Sequence, residues 1–182
     1  MKKIISLMTA VCMLVLCGSA LAVELNWEDF ADQVAEAGWE GQWVANEEWN
    51  AGFFLPDAFQ EAELTQEQID QGGLAVYKTA DGSAAFIVMY VELPEEATDA
   101  ETYAAALQEL GYSDAEVDII NGYEMVTYTD TDNDQLVAMS VYDDGTAMVF
   151  DFMPASDEGL KAVASIMMAS LLTYDEAVAM AQ

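Results

Sequence analysis

The chain has 182 residues, with 4 Lys plus Arg against 34 Asp plus Glu and no histidine, a formal net charge of −30. That balance excludes nucleic acid as a partner, since its phosphates would meet a strongly negative surface. The missing histidine excludes imidazole metal sites and His-dependent acyl transfer within this chain, and the length suits one domain.

Lys2 and Lys3, the apolar run Ile4 to Leu16, and the small residues up to Ala20-Leu21-Ala22 follow the three-part pattern of a secretory signal peptide. The reading is a leader over 1–22, removed before Val23, and a single globular domain over 23–182. The apolar run is short for a membrane anchor. A lipidated cysteine needs a small residue before it, and Leu16 precedes Cys17, which disfavours a lipoprotein. Cys12 and Cys17 leave with the leader, so residues 23–182 hold neither disulfide nor thiolate. They keep Lys78, Lys161 and every carboxylate, with no arginine for bidentate anion recognition. The expected location is secreted, or periplasmic or cell-envelope exterior, with no transmembrane segment once the leader is gone.

In chain order, 25–38 reads as a helix capped by Asn26, with Leu25 and Phe30 as a hydrophobic staple, an apolar face of Phe30, Val34 and Ala37, and Gly38 as its stop. Residues 42–47 and 51–55 read as two strands, the second ended by Pro56. Thr65 and Gln68 have capping-box spacing before one helical turn. Strands follow at 73–79 and 83–93, joined at Ala80-Asp81-Gly82. The second, Phe86 to Val91, is apolar on both faces, as a central strand covered on both sides would be. Thr98 and Glu101 cap a helix to Gly111 with a stripe of Tyr103, Ala106, Leu107 and Leu110. Four strands come next: 116–120 and 123–129 across Asn121-Gly122, a strong hairpin signal, then 135–142 and 146–153. Pro154 ends the sheet. Ser156 caps a last helix whose face includes Leu160, Val163, Ile166, Met167 and Leu171, and the remainder to Gln182 extends it or frays. The fold class is α+β: a largely antiparallel sheet of about six strands with helices packed on its faces, an α/β/α sandwich.

The chemistry-bearing candidates are few. Asp130, Asp132 and Asp134 occupy the first, third and fifth positions of a calcium-loop pattern, but Gln135 and Val141 stand where Gly and Glu belong. A polar hairpin turn accounts for them better, leaving weak Ca2+ binding from carboxylate density and no cofactor. Glu47 and Glu48 between Trp43 and Trp49 are the carboxylates best placed for a glycosidase. Trp39, Trp43 and Trp49 cluster in sequence and are the candidate binding residues. Lys78 offsets Asp81, and Lys161 lies near the start of the last helix. The methionines fall at core positions and fill gaps there.

The Phe53-Phe54-Leu55-Pro56-Asp57 strand, the hairpin after it, the alanine-rich helix ending in Gly111-Tyr112, the Asn121-Gly122 hairpin and a last helix closing with Ser170-Leu171 resemble the Mog1/PsbP-like folds over about 53–172. That resemblance implies an antiparallel sheet between helical layers. The group serves photosystem subunits, nuclear-transport factors and small bacterial exported proteins, most of which resemble interaction or accessory domains. It carries no functional residue across. The leading functional reading is a non-catalytic secreted or envelope domain that binds an unknown protein partner in the envelope or extracellular space. The alternatives are a carboxylate-dependent glycan hydrolase and a weak divalent-cation binder.

Overall fold

A computed structural model describes residues 24, 25, 27–94, 97 and 99–181. The leader, the Asn26 cap and Thr98 lie outside the described residues, as do the side chains of Leu25 and Ala37. The strands are β1 (Glu24–Leu25), β2 (Gly41–Asn46), β3 (Ala51–Pro56), β4 (Phe59–Ala62), β5 (Gly73–Thr79), β6 (Ala85–Glu92), β7 (Glu116–Ile120), β8 (Tyr123–Asp130), β9 (Gln135–Val141) and β10 (Thr146–Met153). The helices are α1 (Trp27–Ala37), α2 (Gln66–Asp70), α3 (Ala100–Glu109), α4 (Glu158–Ala169) and α5 (Tyr174–Met180).

Eight strands form the main sheet in the order β1-β7-β8-β9-β10-β6-β5-β4, antiparallel except for the short β1–β7 pair. The six expected strands, β5 to β10, are its body, and β1 and β4 extend its two edges. As its composition suggests, β6 lies inside the sheet, between β10 and β5. The pair β2–β3 does not join this sheet. It forms a separate hairpin over one face.

Side-chain alternation along the strands builds two cores. On one face, Met148, Phe150 and Phe152 of β10 meet Phe86 and Val88 of β6, Phe53 and Leu55 of β3, and Leu160, Val163 and Met167 of α4. On the other, Ala147 and Val149 meet Val126, Met139 and the helix α3. The first core is aromatic: the Phe53 ring packs edge-on to Tyr77, Phe86 and Phe150, each at a centroid distance of 6.0 Å. Five methionines, Met125, Met139, Met148, Met167 and Met168, are buried, in line with their reading as core.

Four helix expectations are corrected. The buried line of α3 is Ala100, Ala104 and Leu107, while Ala106 is exposed and Leu110 is 77% exposed. The helix lies on its smallest residues, which let its backbone approach the sheet. Its observed cap is Asp99, whose carboxylate accepts from Thr102 N at 2.7 Å. Asp157, not Ser156, caps α4, accepting from Gly159 N at 2.7 Å. The residues after α4 neither extend it nor fray: Leu172 bridges to Gly52, and α5 begins after Thr173, whose N–H and hydroxyl both donate to Glu176.

Long-range polar ties lock the aromatic face. Asn121, at φ +47 before Gly122 at +81, makes the expected tight turn. Its side chain accepts from Trp27 N at 2.9 Å and donates to the carbonyls of Ala169 (2.6 Å) and Leu171 (2.8 Å). One turn residue thus joins the start of α1 and the end of α4 to the sheet. Ser170, fully buried, accepts from Phe54 N at 2.8 Å and so pins the hairpin. Gly52 is required by close approach, since a Cβ there would lie 2.3 Å from the Ala177 Cβ of α5.

Candidate functional site

The aromatic face does not close completely. A cavity of about 730 Å³ opens where the β2–β3 turn overhangs the ends of β6, β9 and β10. Its floor follows from strand register: Tyr90, Met148 and Ser140 are directly opposed across β6, β10 and β9. Trp49 and Glu48 descend from the β2–β3 turn, and Leu171 and Leu172 close the side toward α5. Tyr142, Asp143 and Asp144 come from the β9–β10 turn, and Tyr123 from the start of β8.

Local bonding positions these groups. The Asn46 side chain accepts from Glu48 N (2.8 Å) and Trp49 N (3.3 Å), shaping the turn that presents both residues. Asp144 Oδ1 accepts from the Thr146 N–H at 3.1 Å and from the Thr146 hydroxyl. The Tyr90 hydroxyl lies 2.6 Å from Thr146 Oγ1. The Tyr90 and Tyr142 rings stand 6.2 Å apart at 32°. Burial raises the Tyr142 phenol above its ordinary pKa, with Tyr90 adding to the effect. Burial does the same at Tyr123, reinforced by the Glu176 carboxylate. Tyr90 and Tyr123 are 44% and 38% exposed, so the mouth is built from large rings in contact with water.

The structure separates the three candidate tryptophans. Trp49 lines the cavity. Trp43 sits at the hairpin's other end in an aromatic group with Trp27 (5.3 Å, edge-on) and Phe54 (6.2 Å). Trp39 is half-buried against the aromatic core. Of the two candidate glutamates, Glu48 lines the cavity.

The three candidate metal carboxylates are dispersed in their roles. Asp130 accepts from Asp132 N and from the Asn133 backbone and side chain, and the Asn133 bonds hold its carboxyl below the usual range. Asp134, at φ +57, accepts from Ser156 N (2.7 Å) and Ser156 Oγ (2.8 Å), clamping the β8–β9 turn to the loop before α4. Among the described residues, no group of three or more carboxylates converges as a metal centre. Of the two described lysines, Lys161 lies in the first turn of α4 as expected, and Lys78 departs from expectation. Lys161 pairs with Glu158 at 2.7 Å, whereas Asp81 is satisfied by Ser83 and Thr79 rather than Lys78, and these bonds lower its pKa to about 2.

The sequence reading missed the tyrosines at the cavity and also Asp151. On β10, Asp151 shares the α3-side face with Ala147 and Val149, across the sheet from the cavity. Gln135 donates to its Oδ2 at 2.7 Å, and its Oδ1 is buried without a hydrogen bond. Burial, then the charge of Asp130, raises its pKa to about 6. An acidic residue in an otherwise apolar strand, Met148-Val149-Phe150-Asp151-Phe152, was the available signal.

A largely antiparallel sheet between helical layers, with a hairpin docked on one face and an open aromatic cavity beneath it, defines an α+β domain of the PsbP-like fold. The structure is similar to the solution structure of cyanobacterial PsbP (CyanoP) from Synechocystis sp. PCC 6803, at 14% identity over 73% of this chain and 92% of that one, with a TM-score of 0.51. It also matches a Bacteroides thetaiotaomicron structure (13% identity, 73% of this chain, 48% of that one, TM-score 0.45) and the yeast Saccharomyces cerevisiae Ran-binding protein Mog1p (16%, 77% and 98%, 0.41). No protein-family profile and no curated protein matches the sequence. The similarity to the cyanobacterial PsbP structure bears out the expected PsbP-like resemblance at the level of fold. Among the described residues, no helix is long and apolar enough to cross a membrane.

Proposed function

We propose that this protein is an exported accessory domain that acts by binding, with the cavity under the β2–β3 turn as its contact point for a partner in the envelope or extracellular space. The observation that carries this reading is the cavity mouth, where Tyr90 and Tyr123 keep large rings in water beside a recess of about 730 Å³. Exposed aromatics beside a concave surface are how proteins hold ligands and partner side chains. The PsbP-like fold supports the same reading as an analogy of architecture.

The geometry favours binding over glycan hydrolysis. A carboxyl group suited to general acid work needs a raised pKa beside the substrate. The carboxyls raised above their ordinary range, Asp151 and Glu116, are both outside the cavity lining, and Asp151 lies on the opposite face of the sheet.

Export is tested by N-terminal sequencing of protein recovered outside the cytosol, with Val23 as the expected first residue. Binding is tested by capture from the producing cell's envelope fraction, comparing the native protein with Tyr90→Ala. A specific protein held by the native chain and lost with Tyr90→Ala, at unchanged melting temperature, is the expected result. Release of reducing sugar ends from envelope glycans, abolished by Glu48→Gln, would overturn the binding reading.

A further inference from the structure

We propose that the cavity takes an alkylammonium group, with Trp49, Tyr90, Tyr123 and Tyr142 as its aromatic wall and Asp144 as the carboxylate that meets the charge. This rests on the cavity being the binding site and adds the chemistry of what it binds.

The lining selects for a cation of organic character. Among the described residues that line it, four of fourteen are Trp or Tyr, Glu48, Asp143 and Asp144 are acidic, and none is Lys or Arg. Glu176 adds a further negative charge facing Tyr123. An anion would meet only repulsion here. A neutral apolar ligand would cover the carboxylates without pairing them, which costs free energy. A hard metal ion wants several converging oxygen ligands, and Glu48 comes from a different turn than Asp143 and Asp144. An alkylammonium group satisfies both features at once: its charge is attracted to ring faces and to carboxylate, and its carbon atoms pack on apolar surface.

The bonding around Thr146 prepares the site for that ligand. The Thr146 hydroxyl gives its proton to Asp144 Oδ1, so the Tyr90 hydroxyl 2.6 Å away is the donor in the next link. Ring and carboxylate therefore share one pivot. Both bonds from Thr146 fall on Oδ1 of Asp144, and among the described residues no hydrogen bond occupies its Oδ2. The Tyr90 ring in turn lies 6.2 Å from that of Tyr142.

A free amine and the lysine side chain of a partner protein carry the same group, and a titration separates them. Calorimetry of the purified protein would use choline, its neutral carbon isostere 3,3-dimethylbutanol, spermidine and N-acetyl-lysine methylamide. Sodium chloride at roughly 150 mM screens the diffuse attraction of a net charge of −30. The expected result is saturable binding of at least one ammonium compound, with the neutral isostere roughly tenfold weaker or more. Preference for spermidine supports a free amine, and preference for the lysine derivative supports a partner's lysine. Asp144→Asn should weaken binding about tenfold, and Tyr90→Phe, which keeps the ring but cuts the link to Thr146, by less. Both variants should melt as the native protein does.

Equal affinity for choline and its isostere would overturn the proposal, as would the absence of saturable binding by every ammonium compound. If the ammonium compounds fail while Tyr90→Ala still loses its captured partner, the ligand class falls and the cavity remains the binding site. If neither measurement responds, both readings fall.

Discussion

The two faces of the sheet solve the same problem with different materials. One is packed with interlocking rings and covered by a hairpin, α1 and α4, tied down by Asn121 and Ser170, with α5 seated against Gly52 of the hairpin. Among the described residues, the other rests beneath a single helix whose contact line is alanine, alanine and leucine. Heavy cover on the first face leaves a recess where the hairpin turn cannot reach the strand ends. Light cover on the second leaves Asp151 buried beside Gln135 and the tyrosines around Tyr128. Large, irregular parts make both tight packing and cavities, whereas small parts make a close, smooth contact that tolerates one polar group at a cost.

Core truncations give the sharpest contrast between the faces. Phe150→Ala removes a fully buried ring in contact with Phe53, and denaturant unfolding should show a loss of about 3–5 kcal/mol. Leu107→Ala, on the opposite face, should cost about 2 kcal/mol, because a helix seated on alanines can settle into the space. Equal losses would mean that the faces do not differ in how they are filled.

The ties come next. Asn121→Ala breaks three hydrogen bonds and places a Cβ-bearing residue without a local partner at positive φ. About 2–3 kcal/mol should be lost. Asn121→Gly keeps the turn conformation and loses only the bonds, so it should cost less. If the two substitutions cost the same, the bonds alone account for the effect.

Asp151 supplies a pH signature specific to the α3 face. Its folded pKa of about 6 lies above the ordinary carboxyl value of 3.8. The native state therefore binds more protons than the unfolded chain between those values, and stability falls as pH rises through that window. Asp151→Asn removes the ionisation, so the variant should be on the order of 1–3 kcal/mol more stable than the native protein at pH 7.5. That advantage should shrink toward pH 3, where both states of the native protein are protonated. An advantage constant with pH would rule out ionisation as its cause.

The smallest effect concerns both faces alike. A net charge of −30 repels itself, and raising sodium chloride from about 10 to about 150 mM shortens the range of that repulsion. The melting temperature should rise by a few degrees. A fall would mean that attractive surface pairs outweigh the repulsion.

Local signals carried the reading far. Period-two runs and the Asn121-Gly122 turn located the strands from β5 to β10, because a strand's face and a tight turn are dictated by neighbours in sequence. The capping box at Thr65 and Gln68 is formed as expected, with the Thr65 N–H donating to the Gln68 side chain at 2.9 Å. The errors came where two local choices were nearly equal. Ser156 and Asp157 can both cap a helix, and the Ser156 side chain is drawn to Asp134 instead. In α3 the leucine-rich stripe was as periodic as the alanine one, and the distance to the sheet selected the alanines.

The site was less legible than the fold. Trp49 was among the candidates, but Tyr90, Tyr123 and Tyr142 read only as strand and turn residues, since no spacing in the chain unites them.

Composition and pattern by themselves determined an acidic α+β domain with a central strand at Phe86 to Val91, because charge, propensity and alternation are properties of the chain alone. Only the tertiary structure decided that β2 and β3 leave the sheet and overhang it. That placement depends on Asn121, Ser170 and Gly52 meeting residues many positions away. The cavity, and the different settings of Glu48 and Asp151, follow from the meeting of distant segments, which sets burial and field at each group.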